Sequence, residues 1–334
     1  MVTQRHPEHL FTGKLLLVFV ALAALAWIAC NPMNIFKNRA VQRLPGIQAI
    51  TGPIPPVYTA SILGVKMPQS VAVAPDGNRL YVAEGDGDRG VRMVDLRTRT
   101  LLGSLTPPET TPGDRKPMSV ALGRGGIVYV VDRRRSVVDM YDPTGQWLGM
   151  LPEPLNSKGL WEPLAVAVNA EGLVYVTNAN PGGPALVEYN GDGRLLTSVG
   201  PTGGNPSPLS FPTGIAMGAN GYAFIADSNA GRVVAMDEAG AMVRTYGKTV
   251  GLEALALPRG VAIDRRGFMY VTDVTNDDVK VWDISTDPAT FLFTFGSSGF
   301  ADGELLYPNS VAADSNGRIY VADTGNDRVQ IWAY

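Results

Sequence analysis

A proline, a small residue two positions later and then an alternating apolar stretch recur six times along this chain. The copies are Pro68-QSVAVA, Pro117-MSVALG, Pro163-LAVAVN, Pro212-TGIAMG, Pro258-RGVAID and Pro308-NSVAAD, with prolines 49, 46, 49, 46 and 50 residues apart. Repetition at such a period is the signature of an architecture built from copies of one supersecondary unit. Each copy continues in the same way. A tight-turn pair follows (Asp76-Gly77, Gly125-Gly126, Glu171-Gly172, Asn220-Gly221, Arg266-Gly267, Asn316-Gly317), then a second strand ending in LYVAE, VYVVD, VYVTN, AFIAD, MYVTD or IYVAD. Such turn pairs between alternating apolar runs are the strongest short-range hairpin signal. A third alternating strand and a more variable fourth complete the unit, which predicts one four-stranded propeller blade per copy.

The sixth copy stops at Tyr334 after its third strand, whereas Val57–Leu63 forms a strand-like stretch ahead of the first proline. Pairing 57–63 with the last unit closes the ring and removes an exposed sheet edge, a site of aggregation. The expected fold is therefore all-β, a six-bladed β-propeller over 57–334 closed by its N-terminal strand. Gly 38, Pro 25 and only 18% charged residues fit many turns between short apolar strands.

The sixth copy, Pro308-NSVAADSNGRIYVADTGNDRVQIW, resembles an NHL repeat, and copies four and five do so less strictly. Copy one resembles a YVTN-type repeat, and copy three contains Tyr175-Val-Thr-Asn. The resemblance covers about 57–334 and implies architecture; such folds host lyases, lactonases, scaffolds and receptors alike.

Ahead of the repeats lie a short polar stretch (1–14), an unbroken apolar run of 16 residues (15–30) and a proline-rich segment (31–56) that reads as a stalk. As a helix the apolar run spans roughly 24 Å, short of a ~30 Å hydrocarbon core. It reads first as an uncleaved signal anchor, with one hydrophobic N-terminal helix. The alternatives are a lipoprotein signal, since Trp27-Ile28-Ala29-Cys30 resembles a lipobox with Cys30 as the acylated residue, and a cleaved signal. The propeller is placed outside the cytoplasm, in the cell envelope, because an N-terminal apolar run before a large polar domain is usually an export signal. Flanking charge does not settle this, with two basic residues before the run and three soon after it.

Chemistry is scarce. Both histidines, His6 and His9, precede the apolar run, and Cys30 is the sole cysteine. The lyases and quinone-dependent dehydrogenases that the resemblance brings to mind depend on histidine, so they are excluded. Residues 1–43 hold five basic side chains and one acid; the remainder then has 23 basic against 30 acidic residues, a net −7. That charge disfavours nucleic acid as a partner.

The residues following the repeat prolines, Gln69, Met118, Leu164, Thr213, Arg259 and Asn309, are expected at the mouth of the central channel as binding candidates. They include no carboxylate, which argues against the calcium-dependent lactonases and phosphotriesterases of the resemblance. The acids ending the second strands (Glu84, Asp132, Asp227, Asp273, Asp323, with Asn178 in copy three) are expected to accept backbone N–H groups in their own following loops. Arg133, Arg134 and Arg135, beside Arg115, Lys116 and Arg124, form the one basic cluster. Trp161, ahead of a repeat proline, is the remaining candidate for surface contact. The sequence thus predicts no enzyme, no metal and no cofactor, but a membrane-tethered scaffold that binds a protein or a glycan. A calcium-dependent hydrolase or lyase is the alternative.

Overall fold

A computed structural model describes residues 53–154, 157, 159–180, 182–200 and 209–334. The apolar run at 15–30, Cys30 and nearly all of the stalk lie outside these residues. No helix among the described residues is long and apolar enough to cross a membrane.

Residues 54–334 fold as one compact unit of six four-stranded antiparallel sheets. The inner strands are Pro68–Val73, Pro117–Leu122, Pro163–Val168, Pro212–Met217, Pro258–Ile263 and Pro308–Ala313, one for each repeat proline. We number the blades 1–6 in that order. Five blades run consecutively from inner to outer strand. In blade 6 the outer strand is Val57–Ile62, paired with Arg328–Ala333 in the register Val57 with Ala333 and Ile62 with Val329. Ile62 is 1% exposed there, and Ala60 is buried with it, so closure is an apolar contact as well as a hydrogen-bonded one. The ring is shut as the sequence predicted.

The small residue two positions after each proline has a packing cause. Inner strands of neighbouring blades converge on the axis, and little room is left between backbones. A Cβ on Gly214 would stand 2.2 Å from the carbonyl oxygen of Arg259, and one on Gly260 would stand 2.6 Å from Cα of Ser310. Where the residue is serine, its hydroxyl serves the next blade. The N–H of Val71 donates to Ser310 Oγ, that of Val120 to Ser70 Oγ and that of Val166 to Ser119 Oγ, each at 3.2 Å. Aromatic and β-branched faces bury between blades, as with Trp282 against Tyr246 (6.4 Å between ring centroids) and Trp332 against Phe295 (4.9 Å).

Every inner strand also slips register just after its proline. Proline has no N–H to give to the ladder. The bulge leaves the following residue unpaired and re-aims it, as bulges do beside binding sites. In four blades this slip puts the residue after the proline at the central channel: Gln69, Met118, Thr213 and Asn309.

Candidate functional site

The antiparallel order divides the ring into two faces. One carries only hairpin turns: between first and second strands, and between third and fourth. The other carries the loops that lead into each repeat proline and the loops that leave each second strand. All candidate channel and contact residues lie at this loop face.

The acids that end the second strands are structural. Glu84, Asp132, Asp227, Asp273 and Asp323 are all 2% exposed or less, as is Asn178. Each accepts from the segment just ahead of its own blade's proline: Lys66 N at 2.9 Å, Lys116 N at 3.0 Å, Glu162 N at 2.8 Å, Phe211 N at 3.0 Å, Leu257 N at 3.0 Å and Leu306 N at 2.7 Å. The expected bonds to the following loop also occur, from Arg134 N to Asp132 and Thr275 N to Asp273, but they are the minor part. Five of the acids meet a cation from the third strand or the loop leading into it: Arg92, Arg135, Arg232, Lys280 and Arg328. In blade 3 the acid is replaced by the neutral Asn178, and Leu186 opens the third strand. A buried carboxylate that accepts backbone N–H groups and pairs with a cation is committed to the fold. Burial pushes the Glu84 carboxyl above its usual range, opposed by the Arg92 hydrogen bond.

Gln69, Met118, Thr213 and Asn309 do line the central cavity, whose volume is about 70 Å³. Asn309 Nδ2 donates to Gln69 Oε1 at 3.2 Å across the junction of blades 6 and 1. Leu164 is a correction: it is 2% exposed, its apolar side chain withdrawn from the mouth. Arg259 is half-buried, and its Nε is enclosed without a hydrogen-bond partner. Among the described residues no three His, Cys, Asp or Glu side chains converge to hold a metal ion.

The basic cluster comes apart in space. Arg135 Nη1 lies 2.6 Å from Asp139 and 3.8 Å from Asp132, so it is neutralised. Arg134 is exposed and donates to the carbonyl of Gly113. Arg115 is buried, with Nη2 on the carbonyl of Asp88 at 2.6 Å. Arg124 belongs to the turn face, where Nη2 reaches the carbonyl of Ala170 at 2.6 Å. Arg133 alone crosses the loop face. Its guanidinium leaves blade 2, passes blade 3 and stacks 5.4 Å from the ring centroid of Phe211, at the entry to blade 4.

Trp161 is the second correction. It is 6% exposed and packs with Val138, Leu151 and Tyr189 between blades 2 and 3. Its indole is large enough to fill the wedge where two sheets splay, and burial of that area outweighs exposure.

Sequence reasoning missed the apolar side chains displayed on this face. Leu63, Val250, Leu252 and Phe300 are 73%, 94%, 81% and 76% exposed, and Met67 and Tyr307 are also exposed. All six stand in the three loops entering blades 1, 5 and 6. Met67 and Tyr307 have φ of 43° and 51°, a left-handed conformation that costs a non-glycine residue roughly 1–2 kcal/mol. An aspartate from the preceding blade holds each one: Met67 N donates to Asp327 Oδ1 and Tyr307 N to Asp277 Oδ1, both at 2.7 Å. Beside Leu252 an open groove of about 570 Å³ is lined by Ala254, Leu255, Asn276, Asp278 and Lys280.

Six four-stranded blades around a narrow channel, closed by the first strand, define a six-bladed β-propeller. Within it, residues 305–332, in blade 6, match the NHL repeat. No curated protein matches the chain. Among solved structures it is similar to hydrazine synthase from Kuenenia stuttgartiensis (14% identity over 83% of this chain and 98% of that one, TM-score 0.59). It is likewise similar to a Bacteroides thetaiotaomicron protein of unknown function (18%, 84% and 72%, 0.63) and to a streptogramin B lyase (11%, 83% and 96%, 0.58). At these identities the shared property is the fold.

Proposed function

We propose that this chain is a non-enzymatic scaffold whose loop face binds a protein partner, with the N-terminal apolar segment holding it at a membrane and the propeller outside the cytoplasm. One observation carries the reading: six large apolar side chains stand in water on three consecutive loops of one face. Clustered exposed apolar side chains mark interaction surfaces. Two of them are kept outward against backbone strain, and such strain concentrates where structure serves recognition. The blades behind them form a rigid platform, and loops on a rigid scaffold are where binding residues concentrate. The two ends of the chain contribute differently: the ring supplies the surface, and the apolar run with its proline-rich stalk supplies the tether.

The reading is tested with the full chain carrying Leu252→Glu and Phe300→Glu together. Quantitative capture from a membrane extract is expected to lose a defined set of proteins held by the wild type, at unchanged melting temperature. The opposite outcome would be an unchanged set of bound proteins together with calcium-dependent turnover of lactone or phosphotriester substrates; that would establish a hydrolase.

A further inference from the structure

We infer that Arg133 and Arg259 form a carboxylate-binding site at the loop-face mouth of the channel. The argument starts from an imbalance. Most buried or half-buried cations on this face meet an acid: Arg92 with Glu84, Arg135 with Asp139, Arg232 with Asp227, Lys280 with Asp278 and Arg328 with Asp323. Arg133 and Arg259 meet none among the described residues. They are also brought together. Arg133 stacks on Phe211 at the entry to blade 4, and Arg259 stands at the start of the adjoining inner strand of blade 5, its Nε enclosed without a hydrogen-bond partner.

Two like charges at a half-buried mouth are unfavourable unless something neutralises them. Burial, and then the charge of Arg133, hold the Arg259 guanidinium below the usual arginine value. Arginine nevertheless stays charged in proteins, so the imbalance is not relieved by losing a proton. An anion would relieve it. A guanidinium presents a planar fork whose two parallel N–H groups match a carboxylate. The central cavity beside the two arginines is neutral and able to hydrogen-bond, through the amides of Gln69 and Asn309. At about 70 Å³ it admits a small planar group and little more.

The natural bearer is a carboxylate side chain or free C-terminus of the protein seated on the apolar loops of blades 5, 6 and 1. This source rests on the partner reading above, while the site itself does not. Arg259 belongs to blade 5, whose entry loop carries Val250 and Leu252, so charge and apolar contact adjoin.

The test is thermal unfolding of the full chain with succinate, with a short peptide ending in a free carboxylate, with its C-terminal amide, and with inorganic phosphate. Succinate and the free-acid peptide are expected to raise the melting temperature by about 2–4 °C near tenfold excess over their dissociation constants. The amide is expected to raise it by none. Arg259→Gln and Arg133→Gln are each expected to weaken carboxylate binding at least tenfold, and to leave the ligand-free protein as stable as the wild type or more so, since a repulsion is removed. A purely structural arginine would instead destabilise the ligand-free protein when replaced. Equal shifts in wild type and both variants would reveal a general salt effect and overturn the site. Tenfold preference for phosphate would overturn the carboxylate assignment. The two proposals fail separately: carboxylate binding that persists while Leu252→Glu/Phe300→Glu captures partners normally sinks only the partner reading. Loss of capture in that variant without any carboxylate shift sinks only this one.

Discussion

The two faces of the ring spend their polar groups differently. On the turn face, side chains bind the carbonyls of adjacent blades: Arg79 to Pro143 at 3.1 Å, Arg124 to Ala170 at 2.6 Å, Tyr129 to Gly191 at 3.0 Å and Arg318 to Gly77 at 3.3 Å. Tyr270 and Tyr334 meet hydroxyl to hydroxyl at 2.9 Å, with Arg266 stacked 4.0 Å from the Tyr334 ring. None of its described hairpin turns displays a large exposed apolar side chain. The loop face has its own internal stitching, through the acids of the second strands, but it also leaves apolar side chains in water and Arg133 and Arg259 without a counter-charge among the described residues. A face whose groups are mutually satisfied has nothing left to offer a partner. A face with apolar area and charge left over does.

That contrast can be broken experimentally, beginning with the deepest contacts. Asp323→Ala leaves Arg328 without its buried counter-charge and the Leu306 N–H without its acceptor. It is expected to cost about 3–5 kcal/mol in chemical denaturation, as for a buried pair losing one member. Ile62→Ala, at the ring closure, is expected to cost about 2–4 kcal/mol. On the turn face, Arg318→Ala removes a half-exposed hydrogen bond between blades 6 and 1 and its contact with Asp314, for about 1 kcal/mol. On the loop face, Leu252→Glu alone is expected to change stability by less than about 0.5 kcal/mol, as exposed sites do. A cost above ~2 kcal/mol there would mean that the loop is packed, and the contrast between faces would fail.

The smallest effect is a dependence on pH. Burial raises the Glu84 carboxyl above its usual 4.5, so the folded protein holds this proton more tightly than the unfolded chain. Its contribution is present in full below the usual glutamate value and is lost as pH rises through the raised one. Denaturation measured across that window is expected to show stability falling with rising pH, and Glu84→Gln is expected to remove that component of the slope.

Most of the architecture was legible in the sequence because each blade repeats the same physical constraints. Pro308 and its five counterparts mark where the inner ladder lacks an N–H, and Ser310, Gly260 and Gly214 mark where backbones crowd the axis. Val57–Leu63 declared itself as the missing strand through its alternation and its place ahead of the first proline. The site was legible only in part. Gln69, Met118, Thr213 and Asn309 follow from the repeat, since equivalent positions share a location. Leu164 does not, because its apolar side chain turns from the water its neighbours face. Trp161 was misjudged for the same reason that Arg133 was lumped with Arg134 and Arg135. Where a loop side chain ends up depends on neighbouring blades, and the contact between Arg133 and Phe211 spans three of them. The strained, exposed Met67 and Tyr307 carried a faint signal, both standing directly ahead of a repeat proline, but their φ values are set by aspartates of the preceding blades.

Photo-crosslinking in cells expressing the full chain tests the division between faces most directly. A photoreactive residue would be placed in turn at positions 252 and 300 on the loop face, and at 220 and 315 in turns of the opposite face. Discrete protein adducts from 252 and 300, with none from 220 and 315, are the predicted result. Adducts arising from the turn face instead, or equally from all four positions, would contradict it.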